Sequence, residues 1–428
     1  MTLLDTWEDL DGPEQVAAFA ALPRGEADDF FLALDARHQL ELLRALPPGE
    51  CRIWLRLLAP DDAADVIQVA KEGEREQLLS ELDETTRREV RALLAFKEDA
   101  AGGLMSPRFA RVRPEMTVDE AISYLRRQAA HVETIYYAYA LDDSQRLLGV
   151  VSFRKLFSAD STRTVRDVMQ TDIVTATADM DQEAVAKLVA QRHLLAIPVL
   201  DAEGRMQGIV TVDDIVDVVE EEASEDIQKV GGMEALDEPY LEIGFWKMVK
   251  KRAGWLAILF VGEMLTATAM GYFEKEIARA VVLALFVPLI ISSGGNSGSQ
   301  ATTLVIRAMA VGEVRLRDWW RIIHREFSTG FVLGSFLALI GLARILLWQG
   351  IWHTYGEHYF LVAFTVAGSL VGVVLFGTIA GSMLPFILRR FGLDPASASA
   401  PFVATLVDVT GLVIYFTVAS IIMRGTLL

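Results

Sequence analysis

Asp408 lies inside PFVATLVDVTGLVIYF, an almost wholly apolar stretch, and it is the first candidate for chemistry in this chain. Near the middle of a membrane helix a carboxylate costs roughly 2.5–3.5 kcal/mol on insertion scales. It is kept there when it faces a polar cavity, a partner or an ion. The alternative is a protonated Asp hydrogen-bonded between packed helices. Ala404 lies one turn before it, Thr405 and Thr410 add oxygens, and Pro401 frees a backbone carbonyl. An earlier apolar stretch reads PLIISSGGNSGSQATTLVIRA. Its Gly294, Gly295 and Gly298 allow close backbone approach, while Asn296, Ser297, Ser299 and Gln300 bring oxygens to one depth. Two readings stand: helix packing by small residues with polar bridges, or the wet lining of a path. An oxygen-only set suits a hard cation such as Mg²⁺ or Ca²⁺ rather than zinc or copper. Asp408 reads as the one carboxylate that the membrane half holds at depth. One per chain is too little to dehydrate Mg²⁺. A two-fold homodimer would bring two to the axis, around an ion that keeps most of its water. Backbone carbonyls such as that of Ala404 would join them, and glycines would widen the filter.

A second acidic set is of another kind. In VDDIVDVVEEEASEDIQKV, Asp213, Asp217, Glu221 and Glu225 recur every fourth residue, and Asp214 lies one step away. On a helix they share one face, where like charges destabilise by about 0.2–0.5 kcal/mol per pair. The bland reading is a solvated face; a divalent cation would turn the repulsion into attraction.

Several elements must position these groups. Of 428 residues, 52% are hydrophobic, too many for an ordinary soluble protein. The net charge of −18 divides sharply: the first 240 residues carry 25 basic and 48 acidic side chains, the remainder 15 and 10. An acidic soluble half argues against nucleic acid, which needs basic patches. Cys51 is the only cysteine, which points to a reducing compartment. MTLLDTWEDL has neither basic nor apolar signal regions, so the first half is expected in the cytosol. Residues 1–103 read as short proline-punctuated helices stacked in an acidic superhelix, closed by Gly102 and Gly103. An internal repeat follows over 104–162 and 163–222: LMSPRFARVRPEMTVDEAI answers VMQTDIVTATADMDQEAV, and LLGVVSFRKL answers MQGIVTVDDI. Each copy alternates helical periodicity with short β-branched runs, so two α/β units related by a pseudo-two-fold axis are predicted. They resemble paired cystathionine-β-synthase-type (CBS) domains, regulatory modules that often bind adenine nucleotides. An acidic linker helix is placed at 223–252, and a five-helix membrane domain at 253–428. Its segments are expected at 254–273, 280–306, 328–348, 359–388 and 401–423, each long enough for ~30 Å of hydrocarbon. Lys247, Lys250, Lys251 and Arg252 flank the first; Arg307, Arg315, Arg317, Arg321 and Arg325 follow the second; Arg389 and Arg390 end the fourth. The positive-inside rule then puts the N-terminus in the cytosol and the C-terminus outside, in a multi-pass protein of the cell (inner) membrane.

AGGLM at 101–105, ETIYYAYALDD at 133–143, TVDDIVDVVEEEASEDI at 211–227, SGGNSGSQATT at 293–303 and PFVATLVDVTGL at 401–412 resemble the MgtE family of magnesium channels over essentially the whole chain. The resemblance implies a homodimer that passes Mg²⁺ along its two-fold axis and closes when cytosolic Mg²⁺ draws its acidic domains together. It makes Asp408 the pore carboxylate, with the Ala404 carbonyl and Asn296 beside it. Asp61 and Asp65 become sensor acids of the N-terminal domain, and Glu183, Asp214 and Asp217 those of the CBS pair. Glu222, Glu225 and Asp226 belong to the linker helix, and Asp394 to the cytosolic mouth. Three positions depart from the family pattern: His193 replaces a sensor carboxylate, and Ala400 an Asn before Pro401. Lys155 stands where a nucleotide-binding CBS unit holds ribose with Asp, which leaves ATP binding open. Two other classes compete: a membrane-anchored nucleotide-sensing CBS regulator, and a coupled divalent-cation exporter. No paired aspartates, Ser/His constellation or HExxH occurs in the membrane half, so an enzyme is not expected.

Overall fold

The computed structural model describes residues 3–241 and 243–426, which form two compact units, Met1–Glu221 and Glu222–Leu428.

In the first unit, α1 (Gly12–Ala20), α2 (Arg24–Leu32), α3 (Ala36–Ala45), α4 (Pro48–Leu55), α5 (Pro60–Val69), α6 (Glu72–Glu81) and α7 (Glu84–Leu93) are short helices in sequence. Local chemistry starts them. Asp11, Asp35 and Asp83 cap α1, α3 and α7 by accepting backbone N–H groups, and prolines open α1, α4 and α5. Helices this short are held by packing rather than propensity. Trp7 meets Phe30 edge-on at 4.9 Å and Phe19 meets Trp54 at 4.8 Å, inside a core that includes Phe31, Leu40 and Ile67. The turn α8 (Ala101–Leu104) needs its glycines for close approach. A Cβ on Gly102 would stand 2.6 Å from the Phe96 ring, and one on Gly103 would stand 2.4 Å from the Lys97 carbonyl oxygen.

The internal repeat folds as two copies of one arrangement. The first has β1 (Arg111–Val112), α9 (Val118–Gln128), β2 (Tyr137–Leu141), β3 (Leu147–Ser152) and α10 (Phe153–Ser158), followed by α11 (Val165–Val168). The second has β4 (Ala176–Thr177), α12 (Gln182–Arg192), β5 (Ala196–Leu200), β6 (Met206–Thr211) and α13 (Val212–Val230). In each the first strand pairs in parallel with the second, and the second antiparallel with the third. Arg111 stands opposite Tyr139 as Ala176 does opposite Val199, and both copies shift register near the end of the middle strand.

The second unit contains α14 (Phe245–Tyr272), α15 (Glu274–Arg279), α16 (Val281–Ala284), α17 (Val287–Ala310), α18 (Trp319–Trp352), α19 (Tyr359–Arg390) and α20 (Ala400–Ile422). Among the described residues, five spans are long and apolar enough to cross a membrane: 245–272, 281–310, 316–352, 359–390 and 400–422. The chain is a multi-pass membrane protein. The first and third helices begin about nine residues before the apolar runs placed them, because α14 and α18 continue into polar first turns. Instead of one linker helix entering the membrane, α13 ends at Val230. The chain turns at Gly231 and Gly232, the latter in the left-handed region at φ +77°, before α14 starts.

Close packing centres on α17 and α19. A Cβ on Gly377 would lie 2.4 Å from the Gly294 carbonyl oxygen, and one on Gly381 would lie 2.3 Å from that of Gly298. Two pairs of glycines, spaced four apart on each helix, thus bring the backbones together. Thr302 seals the contact, its hydroxyl lying 2.8 Å from the Gly381 carbonyl and 2.9 Å from that of Gly298. This corrects the expectation that these glycines widen a filter: Gly294 and Gly298 serve helix packing.

Candidate cation path and sensing clusters

Two of the sequence-assigned pore residues lie on α20 and one on α17, and the two helices pack together. A Cβ on Gly294 would reach the Val407 side chain at 2.7 Å, and one on Gly295 lies 3.5 Å from Ala404. Asn296 follows Gly295 on the exposed side of α17. Ala404 and Asp408 are both half-buried on α20, one turn apart. The Thr405 and Thr410 hydroxyls donate to the backbone carbonyls of Pro401 and Leu406 in their own helix, at 3.0 and 2.8 Å. Their lone pairs remain available. Ser299 donates to the Ala400 carbonyl at 3.1 Å, tying α17 to the first turn of α20.

Asp408 is not the only carboxylate at depth. Glu263 lies about two-thirds of the way along α14, inside its apolar run, and its side chain is within hydrogen-bonding reach of Asp408. That corrects the single-carboxylate reading: each chain brings two acids to one place between α14 and α20. Glu263 is exposed on α14 and Asp408 half-buried on α20, and two carboxylates in contact repel unless a cation or a proton lies between them.

In the first unit, acids gather where α5 faces the CBS pair. Asp61 is 6% exposed, and its Oδ1 has no hydrogen-bond partner. Burial, then the charges of Glu133, Asp62 and Asp214, push its carboxyl well above the usual range. Asp62 and Asp65 lie on the outer side of α5, crowded by protein. Lost hydration and neighbouring carboxylates raise both. Asp214 is pushed up to about 6 by burial, against the pull of two hydrogen bonds that Thr211 donates from its N–H (3.0 Å) and hydroxyl (2.7 Å). Burial also raises Glu133, although Ser106 donates to it at 3.1 Å. Asp217, at the edge, is raised by burial and by Glu220 and Asp213. Every shift has the same sign, so this arrangement gains from a proton or a cation. Among the described residues no three acids, His or Cys stand close enough to hold a metal ion as they are.

The remaining assigned acids are partnered differently. Glu183, at the start of α12, pairs with Lys187 at 2.5 Å, one turn on. In the second unit, Glu222, Glu225 and Asp226 share the half-buried face of α13. Asp394 accepts the Ala396 N–H at 2.8 Å and the Lys229 ammonium at 2.7 Å. His193 is exposed in the left-handed region (φ 52°), where it ends α12. A cavity of about 510 Å³ opens between the two α/β repeats, lined by Glu133, Thr134, Tyr136, Leu195, Thr211 and Asp213 among others. Lys155, on α10, is not among its lining residues.

Residues 287–418 match the family profile described as a divalent cation transporter, MgtE. Residues 2–99 match the MgtE intracellular N domain, and residues 101–162 and 165–221 each match a CBS domain. The magnesium transporter MgtE of Thermus thermophilus is 41% identical over 426 residues, covering 99% of this chain and 93% of that relative. The chain belongs to the MgtE family. MgtE of Bacillus subtilis is 32% identical over 392 residues, covering 92% of this chain and 85% of its own length. A solved structure of the cytosolic domain of the Mg²⁺ channel MgtE in complex with ATP is 43% identical, with a TM-score of 0.48, covering 50% of this chain and 88% of that one. Three acids that the sequence reading did not assign join these sets: Glu263 beside Asp408, and Asp62 and Glu133 around Asp61 and Asp214. Glu263 was visible as a charge in the apolar run WLAILFVGEMLTATAM, and Glu133 opens the ETIYYAYALDD motif.

Proposed function

We propose that this protein imports Mg²⁺ across the cell membrane as a homodimeric channel, with Asp408 and Glu263 of each chain in the ion path. The observation that carries this reading is the contact of those two carboxylates between α14 and α20. A fold that only anchored a regulator would have no use for paired charges there. Two-fold symmetry would bring the carboxylates of both chains around one hydrated ion. The Ala404 carbonyls and Asn296 would complete a set that replaces few waters, as Mg²⁺ requires. We further assign the N-terminus to the cytosol and the C-terminus to the outside, and the domain division 1–103, 104–162, 163–222, 223–252 and 253–428.

Regulation follows from the second set of acids. Asp61, Asp65, Asp214 and Asp217, with Asp62 and Glu133, form a region that loses free energy of assembly while its carboxylates stay ionised and unbridged. Cytosolic Mg²⁺ would favour the assembled, closed state by as much as it binds that state better than the open one. Glu183 and the linker acids Glu222, Glu225 and Asp226 would contribute by the same linkage, with Asp394 at the mouth. The regulatory ligand in this reading is the cation; it needs no nucleotide.

Mg²⁺ uptake into proteoliposomes tests the path. Asp408→Ala should abolish uptake while Mg²⁺ still protects residues 1–221 from protease. Glu263→Gln should weaken Mg²⁺ uptake and its preference over Na⁺. Normal uptake by Asp408→Ala would refute the assignment.

A further inference from the structure

We propose that Lys229 is a built-in cation of the gate, a positioning residue whose ammonium holds the end of α13 on the cytosolic mouth loop when no Mg²⁺ is bound. The inference rests on the regulatory reading above. Lys229 Nζ lies 2.7 Å from Asp394 Oδ2 and also contacts Glu225 in its own helix. One positive charge therefore joins an acid of α13 to an acid 165 residues beyond the lysine itself. Burial works against this charge, yet the bonds to Asp394 and Glu225 hold the ammonium above its ordinary range.

The seat around it is built rather than incidental. Asp394 is fixed by the Ala396 N–H it accepts, so its other oxygen points at Lys229. Val230, next in sequence, packs on Ile306, Ala396 and Ala398. Gly232 approaches so closely that a Cβ there would lie 2.9 Å from the Trp255 indole nitrogen and 3.1 Å from Pro401. Trp255 in turn donates to the Ser399 hydroxyl at 3.2 Å, and Ser399 caps α20, the helix that carries Asp408. The ammonium thus connects the linker helix to the base of the pore helix.

The chemical consequence is substitution. Glu225 and Asp394 are two of the acids assigned to Mg²⁺ sensing, and here a tethered monovalent cation takes the place a divalent ion would occupy between them. Mg²⁺ must displace Lys229 to bind both. Without the ammonium, Glu225 and Asp394 face each other with only Mg²⁺ to bridge them, and docking of this helix end becomes strictly Mg²⁺-dependent.

Amide hydrogen exchange on the full-length protein in detergent tests this without relying on transport. In EDTA, the wild-type amides of residues 226–232 should be protected. Lys229→Met should lose at least tenfold of that protection in EDTA and regain it in several millimolar Mg²⁺, with α17 and α19 unchanged as a control for folding. Lys229→Asp combined with Asp394→Lys restores opposite charges and should keep the protection in EDTA. Wild-type protection in Lys229→Met, or its loss in the charge-swapped pair, would overturn the proposal. A wild type that shows this exchange pattern but carries no Mg²⁺ would instead break the transport reading.

Discussion

Replacing Asp214 by Asn should make the first unit more resistant to opening in the absence of Mg²⁺, against the usual effect of altering a buried polar residue. The Asp214 carboxyl is raised from 3.8 to about 6. Two units at about 1.36 kcal/mol each make ~3 kcal/mol the cost of keeping it ionised in the assembled unit. A raised carboxylate titration means that the folded state binds the proton more tightly than the opened chain. The cost is absent below pH 3.8, grows as pH rises, and is complete above about pH 6. Asn removes it. The amide oxygen still accepts from the Thr211 N–H and hydroxyl, but as a neutral acceptor it gives up about 1 kcal/mol. The net gain of ~2 kcal/mol corresponds to roughly 30-fold slower proteolysis of residues 1–221 in EDTA at pH 7.5, where cleavage follows the open population. At pH 5 the advantage should fall by half or more, because the wild-type carboxyl has taken up its proton. Added Mg²⁺ should protect the wild type more than the variant. Equal cleavage of both proteins at pH 7.5 in EDTA, or an advantage independent of pH, would refute the argument.

Two further outcomes concern the membrane half. Gly381→Ala puts a methyl 2.3 Å from the Gly298 carbonyl oxygen. It should lower the stability of detergent-solubilised protein by about 1–3 kcal/mol, whereas Gly350→Ala, which meets nothing within 4 Å, should leave the melting temperature unchanged. Mass measurement in detergent should give a dimer, and a monomer that still conducts Mg²⁺ would remove the need for a shared axis.

The repeat, the spans and the acidic series were legible because each depends on a period written along the chain. Short apolar, partly β-branched runs recurring in both repeats make β2, β3, β5 and β6, and apolar runs of about twenty residues make membrane helices. What sequence could not supply was which faces meet. Gly294 and Gly298 are visibly four apart, but their partners Gly377 and Gly381 lie in another segment, and only the packing of α17 on α19 distinguishes a tight contact from a wide lining. Glu263 on its own is one charge in an apolar run, and its meaning comes from the α20 residue it meets. Lys229 shows its i, i+4 relation to Glu225 in any helix, yet its bond to Asp394 belongs to tertiary structure alone. Hydration lost by Asp61 is equally invisible until α5 is buried.

The thin packing of α14 has a consequence for how the protein is made. Of this 28-residue helix only Thr266 is buried, and its apolar run carries Glu263. Asp408 is encoded 145 residues later. At about 5–20 residues per second, translation takes roughly 7–30 s to deliver it. Throughout that interval the first membrane helix must stay inserted with its acid unpartnered, against roughly 2.5–3.5 kcal/mol. Lys247, Lys250, Lys251 and Arg252, at the start of the helix, anchor that end at the membrane surface, since cationic side chains resist entering the hydrocarbon. Biogenesis thus sets its own requirement on those four basic residues: a chain lacking them should be lost to degradation at the translocon before any pore exists.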